Sequence, residues 1–446
     1  MVVRIDWLPS TRGNKPGHKR NVQNIDRFAP ARLVIEIWAA AIGWLLTLQD
    51  FTHRFYPISA SNANRGDIFM QPVHFKSSSY AQPELETKVW TLMDTCGGRS
   101  ISAGNRVLIK PNFLLPARPE SGILTHPGIV AAACKYALQR GAAVLVADSP
   151  AAGTFKRLVK KGGFVQALEG LDVELRPFRE TVSVDIGAPF GKIALAREAL
   201  EADAVINLAK LKTHSQMLLT LGVKNLFGCV VGMEKPQWHL RSGVDRDWFA
   251  RLLVQIHYTV RPTLTLVDGI LALQGDGPGK GGQPRHTGVL LGGRDAAAVD
   301  AAVCQMLRLD PGQLPTHRAA EARGLVNGRE DIRGDFKTVA DFKLPEQGAV
   351  AFGPDFLKGF IRSHVLQKPV VDPQRCRSCG DCWTYCPAAA VVESERTVAF
   401  DYGRCIRCYC CVEVCPHGAL AAKMPPAGRL VEKIRAIRKG ARQCPH

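Results

Sequence analysis

No Gly-x-Gly-x-x-Gly follows a strand-like segment in this 446-residue chain, so nothing in the sequence supports a dinucleotide cofactor seated on such a turn. A Gly-rich stretch does occur, GDGPGKGG at Gly275–Gly282, but it lacks P-loop spacing and the Ser or Thr that must follow the lysine. It reads as a mobile loop over a pocket. A full membrane span is also missing from the sequence pattern. The apolar run LVIEIWAAAIGWLLTL, Leu33 to Leu48, is 16 residues long and carries Glu36, short of the roughly 20 residues a span needs. It begins too far into the chain for a typical signal peptide. If it did span, the basic residues ahead of it would send the cysteine cluster near the other end of the chain to the outer face, where such clusters are not normally assembled. Membrane association is therefore not favoured, and a cytoplasmic location is expected. Acidic residues are the scarcer charge, 40 against 58 basic ones, for a formal net charge of +18. That excess admits an acidic redox partner, a membrane surface or nucleic acid, but demands none of them; nucleic-acid binding is not expected on charge alone.

What is present reads as globular. The sequence is 46% apolar and 22% charged, which argues against wholesale disorder. The first 69 residues are the least coherent and are read as an N-terminal extension, with Met70 as a candidate true start. From 70 to 354 the pattern is strand, turn, helix, repeated. RVLIK (Arg106–Lys110), AVLVAD (Ala143–Asp148), AVINLA (Ala204–Ala209), TLTLVD (Thr263–Asp268) and GVLLGG (Gly288–Gly293) have the look of buried parallel strands. Between them lie helical patterns, one in HPGIVAAACKYALQRG with Thr125 as its expected N-cap and Gly141 as its end, and one from Asp295 to Leu307. The expected fold is α/β, a mainly parallel sheet with helices on both faces. A Pro-punctuated basic linker at 355–372 precedes a small domain at 373–421, and a basic tail occupies 422–446.

Ten of the fourteen cysteines fall between Cys376 and Cys444. Cys376, Cys379, Cys382, Cys386 and Pro387 recur with identical spacing as Cys405, Cys408, Cys411, Cys415 and Pro416. Thiolates at two-residue gaps converge on one cluster, while the fourth, turned away by the proline, reaches the other. Doubled in this way, the motif supplies eight ligands and points to two 4Fe–4S clusters, with zinc or disulfides as the alternatives. Cys444 reads as a free thiol. Over about 50 residues the segment resembles a bacterial two-cluster ferredoxin, which implies a small α+β domain. The resemblance implies one cluster on Cys376, Cys379, Cys382 and Cys415 and another on Cys405, Cys408, Cys411 and Cys386. Cys410 departs from the family pattern: either the ligand set is slipped or Cys410 is a spare neighbour, and we favour the second.

In parallel α/β sheets ligands sit beyond the carboxyl ends of the strands. There the sequence places Lys110 and Asn112, Asp148 and Ser149, Lys210, Lys212, Thr213 and His214, and Asp268. Singly each of these residues has a bland reading as a turn cap or a packed polar group. As a set they suggest a polar pocket whose lysines suit an anion and whose carboxylates suit a metal or a proton. Lys224, inside the apolar stretch MLLTLGVKNLFGCVVGM, either snorkels to water or is a buried proton donor. KPNFL, THPGIV, VADSP, NLAKLKTH, GVKNLFG, VDGI and RDAAAVD together resemble domain-of-unknown-function family 362, over roughly Gln71 to Asn327. Several members of that family similarly end in a two-cluster ferredoxin segment. The resemblance implies boundaries and pocket residues but no agreed reaction, and it is consistent with a start at Met70.

The expected function is that of an iron–sulfur oxidoreductase. Electrons from the clusters, supplied by a redox partner protein, would reduce an unidentified small molecule held by Lys110, Asn112, Lys212, His214 and Asp268, with Lys224 as a proton donor. The alternative is a non-catalytic relay, or a maturation factor for metal or cofactor, acting on a partner enzyme.

Overall fold

A computed structural model describes residues 72–326, 330–346, 364–430 and 433–434. The extension before Met70, its apolar run, Cys444 and most of the basic tail lie outside these residues. Among the described residues no helix is long and apolar enough to cross a membrane.

The main sheet is built from β1 (Val73–Ser77), β2 (Arg106–Lys110), β3 (Ala143–Asp148) and β4 (Val173–Pro177). A separate hairpin follows, β5 (Thr181–Asp185) with β6 (Lys192–Ala196). The sheet then gains β7 (Ala204–His214), the short β8 (Leu218–Leu219), β9 (Leu264–Gly275), β10 (Gly282–Gly293) and β11 (Ile332–Gly334). Its order is β11-β1-β10-β9-β7-β2-β3-β4, with β8 paired to β7. The run β9-β7-β2-β3-β4 is parallel throughout. GVLLGG does become a strand, but β10 pairs antiparallel with both β9 and β1. A buried apolar run carries no direction; here the Gly-rich loop returns the chain directly, whereas a parallel neighbour would need a helical crossover.

Both faces of the sheet are covered by helices, so its strands read as continuous apolar runs. Val107 and Ile109 pack into a core with the helices Glu84–Thr95 and Pro127–Gln139, while the intervening Leu108 enters a second core with the helix Arg246–Val260. A third core joins Val267, Val289 and Leu291 to the helix Ala296–Met306. The helix Pro127–Gln139 is capped by His126, whose Nδ1 accepts from the Gly128 amide, and not by Thr125. The Thr125 hydroxyl is engaged elsewhere, donating to Leu208 O and accepting from the Asn112 amide.

The C-terminal segment forms two small antiparallel ribbons. One joins β12 (Lys368–Val371) to β15 (Leu420–Lys423), and the other joins β13 (Val391–Ser394) to β14 (Thr397–Phe400). Two one-turn helices, Asp381–Thr384 and Cys410–Val414, carry cysteines. Strand β12 thus lies within the stretch read from the sequence as linker, yet it pairs with the last strand of the small domain.

Candidate functional site

β2, β3, β7 and β9 deliver their polar ends to one edge of the sheet, and an amide network ties them together. Lys110 is fully buried; its Nζ lies 3.0 Å from Asp148 Oδ1. Asp148 also accepts from the backbone amides of Phe113 (2.9 Å) and Ser149 (2.8 Å). Lys212 Nζ donates to Asn112 Oδ1 (2.7 Å) and Ile123 O (2.9 Å). Burial, reinforced by Lys224, pushes its ammonium down to about 7. Asn112 Nδ2 donates to Asn225 Oδ1 (2.8 Å), and Asn225 Nδ2 to Asn207 Oδ1 (2.7 Å).

His214 ends β7 with Nδ1 accepting from the amides of Gln216 and Met217. This leaves its Nε2 to carry the proton, and Nε2 lies 2.5 Å from Glu413 Oε1. Burial brings His214 down to about 4, so the neutral imidazole faces the carboxylate. Burial alone would oppose ionisation of Glu413, but His214, Lys224 and His239 outweigh it and hold the carboxyl well below its usual range. The contact joins the sheet edge to the cysteine domain.

Asp268 belongs to a different knot. It accepts from Lys210 Nζ (2.7 Å), the Tyr80 hydroxyl (2.8 Å) and the backbone amides of His126 and Ile270. With its oxygens engaged in this way, Asp268 ties strand to loop and does not line the cavity described next. His126, stacked on Tyr80 at 3.7 Å, likewise packs and caps.

The cavity lies between the sheet edge and the cysteine domain, with about 700 Å³ of empty space counting its open mouth. Asn112, Asp148, Lys224, Asn225, Lys235 and His239 line it from the α/β side, and Tyr385, Cys410, Glu413 and Val414 from the other. Among the sequence candidates, Asn112, Asp148, Ser149 and Lys224 reach its surface. Lys110, Lys212 and His214 stand one bond behind, against Asp148, Asn112 and Glu413. Lys235, His239, Tyr385 and Glu413 escaped the sequence reading. Glu413 alone left a signal, as an acid inside the apolar, cysteine-rich CCVEVCP. The loop Gly275–Gly282 does not cover the cavity. Gly277 is held by the hydroxyls of Thr213 and Ser215, and a Cβ on Gly279 would press on the backbone of Glu413, so the loop forms a seam with the cysteine domain.

The two cysteine repeats share one backbone form. Left-handed residues fall at matching places, Ser378, Gly380 and Ala389 in the first and Arg407, Tyr409 and Gly418 in the second. Each repeat directs a backbone amide at its last sulfur: Ala390 N to Cys386 Sγ at 3.2 Å and Ala419 N to Cys415 Sγ at 3.3 Å. Cys376, Cys379, Cys382 and Cys415 line one cavity, and Cys411 faces Cys408, Cys405 and Cys386. Among the described residues no three His, Cys, Asp or Glu close on a point that could hold a single ion. Sulfurs set around a space and backed by amide donors fit iron–sulfur clusters, whose thiolates are stabilised by such bonds. Cys410 contacts Cys408 and also lines the large cavity.

Comparison with known proteins agrees with this architecture. A family model described as "Domain of unknown function (DUF362)" matches residues 107–305, and one described as "4Fe-4S dicluster domain" matches 368–416. The thylakoid-associated protein sll1697 of Synechocystis sp. is 38% identical over 278 residues, 61% of this chain and 86% of that protein. The cysteine domain is similar to pyruvate synthase subunit PorD of Thermotoga maritima, 32% identical over 56 residues, 12% of this chain and 57% of that subunit. It is also similar to the delta subunit of NADH-dependent phenylglyoxylate dehydrogenase of Aromatoleum evansii, 39% identical over 50 residues, 11% of this chain and 54% of that subunit. The lactate racemase apoprotein from Thermoanaerobacterium thermosaccharolyticum, a solved structure, matches at 14% identity with a TM-score of 0.34, covering 50% of this chain and 53% of that one, a likeness too low to bear on function. The C-terminal segment is a 4Fe–4S ferredoxin domain with an electron-transfer role, and the chain belongs to the domain-of-unknown-function family 362.

Proposed function

We propose that this protein is an iron–sulfur oxidoreductase whose substrate lies in the cavity shared by the sheet edge and the ferredoxin domain. The observation that carries the reading is the composition of that cavity wall: polar strand ends on one side, and on the other Tyr385 and Cys410, each adjacent in sequence to a cysteine of the set Cys386, Cys405, Cys408 and Cys411. Two clusters, one on those cysteines and one on Cys376, Cys379, Cys382 and Cys415, would supply single electrons for a ligand that the cavity holds. Asn112 and Lys224 would position that ligand, with Lys110, Lys212 and His214 fixing the groups that touch it. A redox partner protein would dock where Cys379 is exposed. Arg375 and Arg377 lie there at the surface, and Lys280, close to Cys415, brings Lys161 and Arg157 nearby. Such a rim favours an acidic partner face.

The test uses full-length protein, loaded and handled without oxygen. Dithionite-reduced, desalted protein is mixed with pooled small metabolites, and return of the visible cluster absorption that reduction had bleached is followed. Reoxidation by a small molecule that Lys224→Met slows, with the spectrum itself unaltered, is the expected result. Reoxidation by a protein fraction alone would overturn the enzyme in favour of a relay. Iron analysis should give about eight atoms per chain, twice the four of a single cluster.

A further inference from the structure

We infer that the cavity takes an oxyanion, a carboxylate or phosphate group on a small molecule, held between Lys224 and Lys235. This rests on the reading of the cavity as a ligand site and names the class of ligand. The argument is a charge count. Two carboxylates line the cavity: Asp148 is paired with Lys110 at 3.0 Å and two backbone amides, and Glu413 lies 2.5 Å from the neutral His214, so one carboxylate charge is left to set against two lysines. Lys224 and Lys235 line the same space, and among the described residues neither has a carboxylate within ion-pair distance. An ammonium carries three donors. Lys235 Nζ spends one on Ser149 O at 2.6 Å, and Lys224 Nζ looks over the Phe227 ring at 5.9 Å. The third observation concerns His239, which is 4% exposed and lines the cavity with a buried Nδ1 that meets no partner.

Buried polar atoms and charges are ordinarily paired. Two lysines with no carboxylate in ion-pair distance, set against the single charge of Glu413, and one imidazole nitrogen without a partner, on residues that line one space, make a donor set that an oxyanion would complete. Burial pushes Lys235 down to about 7, opposed by Asp148 and assisted by Lys110 and Lys224, with Cys229 also facing it. A bound anion would reverse that loss of charge.

The test is isothermal titration calorimetry of the full, cluster-loaded protein with inorganic phosphate, with succinate, and with uncharged succinamide. One of the two anions should bind at a single site, succinamide should not, and which anion binds tells a phosphate from a carboxylate ligand. Lys224→Met and Lys235→Met should each weaken binding about tenfold or more, and Lys235→Arg should restore most of it. Lys156→Met, at an exposed position outside the cavity lining, should bind like the parent. An unchanged cluster spectrum shows that each variant has folded. Anion affinities no better than that of succinamide, or unchanged in both methionine variants, would overturn the inference. The two readings fail separately. Reoxidation by a neutral small molecule without anion binding sinks the oxyanion and leaves the oxidoreductase; anion binding without any small-molecule reoxidation does the reverse.

Discussion

A methyl group on Gly228 would overlap both Asp148 Oδ1 and Lys110 Nζ. The backbone approaches the buried ion pair closely enough that only a residue without Cβ fits. Gly228→Ala is therefore expected to lower unfolding stability by about 1–3 kcal/mol through overpacking, and more if the pair separates and leaves a buried charge alone. Chemical denaturation under anoxic conditions measures it; a midpoint equal to the parent's would show that the pair tolerates displacement. Lys235 sets a pH dependence. Its folded value of about 7 lies below that of an ordinary lysine, so it is charged below pH 7 and loses charge above. An oxyanion prefers the charged form, so binding raises that value. Affinity should be highest and flat below about pH 7, then fall by up to tenfold per pH unit above it. In Lys235→Met that fall should disappear, which calorimetry at several pH values would reveal.

Among the elements, the one-turn helix Leu221–Asn225 carries Lys224 and Asn225 to the cavity, and its first amides are held from another chain segment. Asp300, on the helix Ala296–Met306, accepts from Gly222 N at 2.7 Å and Val223 N at 3.0 Å. A helix this short has no cooperative stability of its own. Asp300→Ala strands two buried amides and should cost about 1–3 kcal/mol. It should also weaken anion binding, because Lys224 loses its platform, although Asp300 does not touch the cavity. Asp300→Asn keeps an acceptor oxygen and should lose less on both measures. Legibility at this scale followed local pattern. AVLVAD is β3 residue for residue, and the Asp295-capped helix lies within one residue of expectation at each end. The edge strand β11 and its neighbour β1 went unread, β11 because three residues offer too little periodicity and β1 because VHFKS lacks the continuous apolar run that marks RVLIK. The direction of β10 depends on what it pairs with, and no local pattern records that.

At the scale of the whole molecule, the 4Fe–4S domain was legible because the repeated cysteine spacing is its chemistry. The cavity was not, because Lys235 and Glu413 are 178 positions apart in the chain and meet only when the ferredoxin domain seats on the sheet. Asp268 shows the converse. A strand-end acid next to a lysine has the same sequence signature whether it serves a ligand or, as here, locks Lys210 and Tyr80. The net charge of +18 gains meaning once placed. Arg375 and Arg377 flank Cys376, while burial, reinforced by Lys161 and Arg157, depresses the Lys280 ammonium. Like charges gathered around an exposed cysteine repel one another, and an acidic partner face would relieve that repulsion. Docking of that kind accelerates encounter through long-range attraction, which salt screens over a Debye length of about 10 Å at 0.1 M and about 3 Å at 1 M. Stopped-flow reduction of the loaded protein by an acidic flavodoxin should therefore slow by roughly tenfold or more between low and high salt. Arg377→Glu should slow it at low salt and flatten the salt dependence. Reduction by a methyl viologen radical, which is cationic, should instead speed up or stay level as salt rises. A rate from the flavodoxin that ignores ionic strength would mean that electrons enter somewhere other than the Arg375–Arg377 rim.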